Sequence, residues 1–108
     1  MEFKNGVDLK GLLPVMRPVL LAAERIYKEL GQPEGVTITE ACGGLHSAGS
    51  FHYYGGALDL RTHYFTEEKK RDAFKRLEHA LPGYDVIWHE THLHIELGPA
   101  LAKRAGLT

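Results

Sequence analysis

The segment "HLHIEL" at residues 92–97 alternates polar and apolar side chains, and it constrains the fold more than any other part of the chain. His92, His94 and Glu96 occupy every second position, and the residues between them are leucine and isoleucine. Because successive side chains of a β-strand point to opposite faces, this spacing predicts a strand with one polar and one buried face. A half-buried strand with its polar face in water has the same pattern, so the histidines alone do not establish a site.

A second segment, "GALDLRT" at residues 56–62, alternates in the same way. It places Ala57, Asp59 and Arg61 on one face of a strand and two leucines on the other. Elsewhere, β-branched residues predict another strand, and apolar residues at helical spacing predict two main helices. The predicted order is a helical turn at 9–13, a helix at 18–30, strands at 36–39 and 56–62, a helix at 67–81, one extended stretch or two strands within 84–97, and a short helix from Pro99. This order indicates an α+β fold with a small antiparallel sheet packed against two main helices.

Length and charge narrow the class of function. The chain has 108 residues and a net charge of −1, which predicts one domain over residues 1–108 and no surface that tracks nucleic acid. No window approaches the roughly 20 apolar residues that cross a bilayer, and the N-terminus lacks the pattern of a secretion signal. The single cysteine, Cys42, excludes an internal disulfide and suits a reducing compartment. We therefore expect a monomer that is made in the cytoplasm and has no nucleic-acid or membrane partner.

The segment 42–56 is a long loop by composition, because it holds five glycines, two serines and two histidines. Loops of this length in compact domains usually carry function. His52 precedes Asp59 by seven positions, and a divalent metal needs three or four N and O ligands from separate segments. Two histidines and one carboxylate leave a fourth position open, as in catalytic zinc sites. Gly55 and Gly56 allow the backbone to bend between the loop and the strand.

These residues carry a family resemblance. The stretch "SFHYYGGALD" matches the spacing S-x-H-x-x-G-x-A-x-D, and an H-x-H pair follows it downstream. With these two motifs the chain resembles the zinc D-Ala-D-Ala metallopeptidases, over residues 8–97 in the order of its elements. That family shares its fold and metal site with lysostaphin-type endopeptidases and the hedgehog signalling domain. The resemblance therefore implies a hedgehog/DD-peptidase-like fold.

The resemblance also implies roles for the residues of these motifs. His52, Asp59 and His94 are the implied zinc ligands, and His92 is implied to hold the substrate carbonyl or support the tetrahedral intermediate. The implied reaction is metal-assisted amide hydrolysis, in which the ion activates water and polarises the scissile carbonyl while a nearby carboxylate takes the water's proton. Glu90 is the nearest carboxylate upstream of the H-x-H pair, and we predict that it faces the metal as this base.

The predicted base departs from the family pattern. The usual acid of the family lies three residues before one of the closing histidines, and this chain has His89 and Thr91 at those positions. Glu90 is therefore either a base in a shifted position at the end of a turn or a residue without a catalytic role. In the second case the base would be His89, His92 or Glu96.

The predicted substrate contacts depart from the pattern as well. Carboxypeptidases of the family often carry "TSGxR", whose arginine binds the terminal carboxylate of the substrate, whereas residues 39–44 here read "TEACGG". Arg61 is the predicted substitute, and loss of the motif favours an endopeptidase or an altered substrate over strict removal of a terminal D-alanine. The other predicted substrate contacts are Ser50, Tyr54 and Trp88, although the two aromatic residues fit core packing or the surface equally well.

The predicted function is a zinc peptidase that cleaves D-amino-acid-containing stems or cross-links of bacterial peptidoglycan, after release to the wall or as part of a phage particle. A non-catalytic zinc-binding module of the same fold is the alternative, supported by the displaced acid and the missing arginine. An iron oxygenase with two histidines and one carboxylate is weaker, because that ligand set usually begins H-x-D or H-x-E. The ligand types accept zinc, manganese or cobalt.

Overall fold

The computed structural model describes residues 1–42, 51–52 and 54–107 of the chain, and in these it has the predicted α+β composition. A short 3₁₀ turn precedes the first helix, and strands and helices then follow in the predicted order. The elements are β1 (Glu2–Phe3), the 3₁₀ turn (Pro14–Met16), α1 (Arg17–Glu29), β2 (Thr37–Glu40), β3 (Ala57–Arg61), α2 (Glu67–Ala80), β4 (Tyr84–Trp88), β5 (His92–Leu97) and α3 (Pro99–Arg104).

The strands form one sheet in the order β1-β2-β3-β5-β4. Neighbouring strands from β2 onwards pair antiparallel, as predicted, but β1 pairs parallel to β2, so the sheet is mixed. The prediction of a purely antiparallel sheet is wrong at this edge, because a strand of two residues is too short to show alternation. Backbone bonds hold β1 in place: Glu2 N donates to Val36 O at 2.8 Å, and Lys4 N donates to Ile38 O at 2.9 Å.

The apolar faces of the strands pack with α1 and α2 in a single core. Buried residues of that core include Leu58 and Leu60 of β3, Leu93 and Ile95 of β5, and Val19, Ala23, Ile26, Tyr27, Ala73 and Leu77 of the helices. On α1, Val19 is fully buried, whereas its neighbour Leu20 is only half-buried. The opposite face of the sheet is therefore left for polar side chains.

The ends of the elements follow local sequence signals. The 3₁₀ turn starts at Pro14 rather than within residues 9–13, with proline in its first position. The side chain of Thr66 accepts a hydrogen bond from Lys69 N at 3.1 Å and caps the start of α2. Residues 84–97 form two strands, and His89 N donates to His92 O at 3.0 Å across their turn.

The described helices are all too short or too polar to span a membrane. Most of the predicted loop at 42–56 lies outside the described residues.

Candidate metal centre

Strand pairing places the predicted ligands of β3 and β5 side by side. In the antiparallel register, Asp59 lies opposite His94 and Arg61 lies opposite His92, so all four side chains share the polar face. This face is the one predicted from the alternation in both segments. His94 Nδ1 lies 2.8 Å from Asp59 Oδ1, a direct contact between the two predicted ligands.

His52 reaches the same aspartate from the segment before β3. Its side chain is buried, with 3% of its surface exposed, and its Nε2 lies 2.9 Å from Asp59 Oδ1. Its other ring nitrogen, Nδ1, lies 2.6 Å from the carbonyl oxygen of Ala41 at the end of β2. His52 is thus fixed at both nitrogens, between two neighbouring strands.

Gly55 makes the bend that brings His52 back to the sheet. Its φ is +77°, in the left-handed region that favours glycine, and an added Cβ would lie 2.1 Å from the carbonyl oxygen of Gly11. Gly56 has a different role, since its φ is not positive and an added Cβ would press on Leu97 and Leu107. The bend that the sequence assigned to both glycines is therefore made at Gly55, and Gly56 permits close packing.

The three predicted ligands form a group that could bind a metal ion. One donor atom from each of His52, Asp59 and His94 lies within 4.8 Å of the other two. Donors held about 2.0–2.2 Å from one tetrahedral zinc ion lie about 3.3 Å apart, so small side-chain movements bring all three to the ion. The group offers two nitrogens and one carboxylate, which zinc, manganese and cobalt all accept.

The hydrogen bonds of the ring nitrogens also fit an ion at this position. The Ala41 carbonyl can only accept a hydrogen bond, so Nδ1 of His52 carries the proton. In a neutral ring Nε2 then presents a lone pair towards the Asp59 carboxylate. The lone pairs of His52 Nε2 and Asp59 Oδ1 repel each other at 2.9 Å unless a proton or a cation lies between them. Orientation of a ligand histidine by a backbone carbonyl is common at protein metal sites.

Glu96 orients the second histidine. Its Oε1 lies 2.7 Å from Nε2 of His94, the nitrogen opposite the one that contacts Asp59. If the Nε2 proton of His94 bonds to Glu96, Nδ1 offers its lone pair on the Asp59 side, as in carboxylate–histidine–metal arrangements. The sequence named Glu96 only as a substitute base. The i, i+2 spacing on one strand was the signal that it could contact His94.

Electrostatics keep Asp59 ionised. Burial by itself would raise the pKa of its carboxyl, but the contacts with His52 and His94 outweigh burial and hold that pKa well below the usual range. For His94, burial alone would lower the pKa, and the contacts with Asp59 and Glu96 raise it instead. The carboxylate is thus available as a ligand through the whole neutral range, whereas His94 must lose a proton to bind an ion.

His92 lies at the edge of the group rather than inside it. Its Nε2 is 3.5 Å from the second oxygen of Asp59, and its Nδ1 is 2.9 Å from the hydroxyl of Thr91. The ring stacks on His89 with centroids 4.6 Å apart. Burial lowers the pKa of His92, and the nearby histidines and Lys70 lower it further against the opposing effect of Asp59.

A groove of about 320 Å³ opens beside the group. It contains the predicted residues Asp59, Arg61 and His92, and its lining is Lys4, Thr39, Glu40, Asp59, Arg61, His63, Thr91 and His92. Glu40 is a carboxylate that the sequence did not indicate, since its position opposite Asp59 depends on a register shift between β2 and β3. The groove gives an incoming ligand access to the group.

A second groove, of about 470 Å³, holds Trp88 and Glu90. It adjoins the first, with Thr91 and His63 in both, and its lining is Thr62, His63, Phe65, Glu67, Lys70, Trp88, Glu90 and Thr91. Glu90 is exposed on the turn and lies one groove away from the metal-binding group. Its role as the base stays a prediction.

One of the predicted substrate contacts lines neither groove, and another cannot be placed relative to them. Tyr54 is 46% exposed and lines neither groove. Ser50 lies outside the described residues. Among the predicted substrate contacts, Arg61 is therefore the one beside the group and Trp88 the one in the neighbouring groove.

Comparisons with known proteins leave the family unassigned. No protein-family model, no curated protein and no solved structure matches this chain.

Proposed function

We propose that this chain is a zinc-dependent peptidase that hydrolyses D-amino-acid-containing peptide bonds of bacterial peptidoglycan. The observation that carries the proposal is the convergence of His52, Asp59 and His94 beside an open groove. These are the residues that the motif resemblance implied as ligands. The hedgehog/DD-peptidase-like fold belongs to the same proposal, as does action at the wall after release or from a phage particle.

The donor set suits a catalytic rather than a structural zinc site. Structural sites are usually closed by four ligands, often cysteines, whereas catalytic sites have three protein ligands and an open position. The single cysteine has no place among the donor atoms of the group. A zinc ion bound by the three residues would supply Lewis acidity, which lowers the pKa of a nearby water and polarises a carbonyl oxygen.

His92 is suited to hold the substrate. Its lowered pKa keeps the ring neutral at pH 7, so it has one N–H donor and one acceptor. Its position in the groove, 3.5 Å from Asp59, allows that donor to reach a carbonyl oxygen next to the metal-binding group. Arg61 and Lys4 lie in the same groove and add positive charge for a carboxylate of the peptide.

Hydrolysis also needs a group that moves a proton. In the overall step, the oxygen of water bonds to the carbonyl carbon, the C–N bond breaks, and a proton passes to the leaving amine. Glu90 is the proposed carrier of that proton, from the neighbouring groove. Glu40 is the competing carboxylate because it lines the groove beside Asp59.

A non-catalytic metal-binding module is the second candidate. The observation that favours it is the position of Glu90, whose exposed side chain does not line the groove beside the metal-binding group. In that case zinc would stabilise the fold or a contact with another protein.

Purified peptidoglycan tests the proposal. Zinc content is measured first, and release of new amino termini and of D-alanine is then followed for wild type and for Glu90→Gln, Glu40→Gln and the control Glu78→Gln, an exposed residue outside both grooves. Loss of a proton-transfer group lowers the rate by about 10²–10⁴-fold. We expect that loss in Glu90→Gln and wild-type rates in the control.

The other outcomes separate the alternatives. Normal rates in Glu90→Gln with a large loss in Glu40→Gln would transfer the base role to Glu40 and leave the peptidase intact. One bound zinc per chain without release of any product from several wall types would contradict the peptidase and support the module.

A further inference from the structure

Lys70 is a buried lysine on the helix that packs under the sheet. Only 6% of its surface is exposed, and it is the sole buried lysine or arginine in the described part of the chain. Position 70 lies on the core-facing side of α2, three residues before the buried Ala73. Burying a charge is unfavourable unless partners surround it, so the contacts of this ammonium need an explanation.

The ammonium of Lys70 is surrounded by the turn between β4 and β5. Nζ donates hydrogen bonds to the carbonyl oxygens of His89 and Glu90, the second at 3.2 Å. It also lies 4.1 Å from the centre of the Trp88 ring, a cation–π contact. Burial lowers the pKa of Lys70, and the carboxylates of Glu67 and Glu90 oppose that shift.

All three backbone carbonyls of this turn accept hydrogen bonds from side chains of other segments. The carbonyls of residues 89 and 90 accept from Lys70, and the next carbonyl, that of Thr91, accepts from the hydroxyl of the buried Thr62 at 3.3 Å. The turn is closed by the bond from His89 N to His92 O at 3.0 Å. A connection between two strands does not need three such contacts, because the strand ladder already fixes its ends.

The turn contributes residues to both grooves. Glu90, in the middle of the turn, lines the second groove, and Thr91 lines both grooves. His92, the first residue after the turn, lines the groove beside the metal-binding group. The metal-binding group itself is built on β3, β5 and the segment before Gly55. The hydrogen bonds and the ring contact of Lys70 go to residues 88–90, none of which belongs to that group.

We propose that Lys70 is a positioning residue, which holds the turn at residues 89–91 so that Glu90 and His92 meet a substrate bound beside the metal-binding group. This inference rests on the proposed peptidase function. It predicts that the contacts of Lys70 matter for turnover and not for zinc binding.

Lys70→Met separates positioning from simple packing. Methionine fills similar space without a charge but leaves the carbonyls of residues 89 and 90 without this donor, so we expect a modestly lower unfolding temperature with the fold retained. Misplacement of a reacting group by about 1 Å can lower the rate by about 100-fold, and we expect kcat on wall peptides to fall about 10- to 100-fold. KM and the zinc dissociation constant, measured calorimetrically with Zn²⁺ alone, should stay within about threefold of wild type.

Two further variants sharpen the test. Lys70→Arg retains a cation and several donors, so it should recover most of the lost kcat. Thr62→Val removes the contact with Thr91 while keeping a similar shape, and it should lower kcat less than Lys70→Met does. Amide hydrogen exchange at His89, whose N–H closes the turn, should be faster in Lys70→Met than in wild type.

Each contrary result has a distinct meaning. Wild-type kcat and wild-type exchange at His89 in Lys70→Met would overturn the positioning role. Loss of zinc together with loss of turnover would also overturn it, because Lys70 would then support the whole fold. If the wild-type protein binds zinc but releases nothing from peptidoglycan, the proposed function fails, and exchange at His89 alone decides whether Lys70 holds the turn.

Discussion

The metal-binding group and the neighbouring turn are held together by different kinds of contact. Asp59 and His94 face each other because two strands pair in register, and their positions follow from backbone hydrogen bonds. The turn that carries Glu90 is held by side chains from elsewhere, above all Lys70. The metal-binding group therefore depends on strand register, whereas the position of the turn depends on side chains of other elements.

Removal of the central carboxylate should have the largest effect on zinc binding. Asp59 contacts both histidines through one oxygen, so Asp59→Ala removes a ligand and the partner of the other two. Loss of a residue that only orients a ligand weakens metal affinity by about 10- to 100-fold, and we expect a loss above about 100-fold here. Calorimetric titration with Zn²⁺ measures it, and zinc affinity near that of wild type would show that the group is not the metal site.

Removal of the orienting carboxylate should have a smaller effect. Glu96→Gln retains the size of the side chain but removes the charge that faces His94 Nε2. Zinc affinity should fall by about 10- to 100-fold, as for other partners of ligand histidines. Glu78→Gln, on the exposed side of α2, is the matched control and should bind zinc as wild type does. Equal affinities in the two variants would exclude an orienting role for Glu96.

The pH dependence of zinc binding tests the electrostatics of the group. The pKa of His94 is raised above its usual value, so binding must displace a proton at any pH below that raised pKa. At pH values below the raised pKa of His94, zinc affinity should therefore fall by about tenfold for each pH unit. The affinity should stop changing with pH only above the usual histidine pKa of about 6.5. Glu96→Gln removes one cause of the raised pKa and should move this midpoint down. A midpoint that does not move would contradict the assignment to His94.

Substitutions in the neighbouring groove should have the smallest effect on zinc affinity. Trp88 packs against Phe74 and Lys70, which do not belong to the metal-binding group. Trp88→Leu should alter zinc affinity by less than about threefold while lowering thermal stability, because part of an aromatic contact is lost. Zinc affinity and thermal unfolding of the same samples give both readouts. A large loss of zinc would mean that the two regions are coupled.

Local sequence patterns predicted most of the strands and helices, and the resemblance of two motifs implied the residues of the metal-binding group. Alternation over residues 57–61 and 92–97 identified both strands and the shared face of Asp59 and His94, since strand geometry has a period of two. The helical spacing of apolar residues predicted α2, which spans Glu67–Ala80. These features were readable because each depends on neighbours within a few positions.

The alternation in the sequence settled which side chains share a strand face, among them Asp59 and His94. Which side chains of different segments come into contact depended on the folded chain. The parallel edge strand β1, the contact of His52 with the Ala41 carbonyl, the placement of Glu40 opposite Asp59 and the separation of Glu90 into its own groove all join distant segments. No local period encodes such pairings, because they arise from the register of strands and the burial of side chains such as Lys70 in the folded chain.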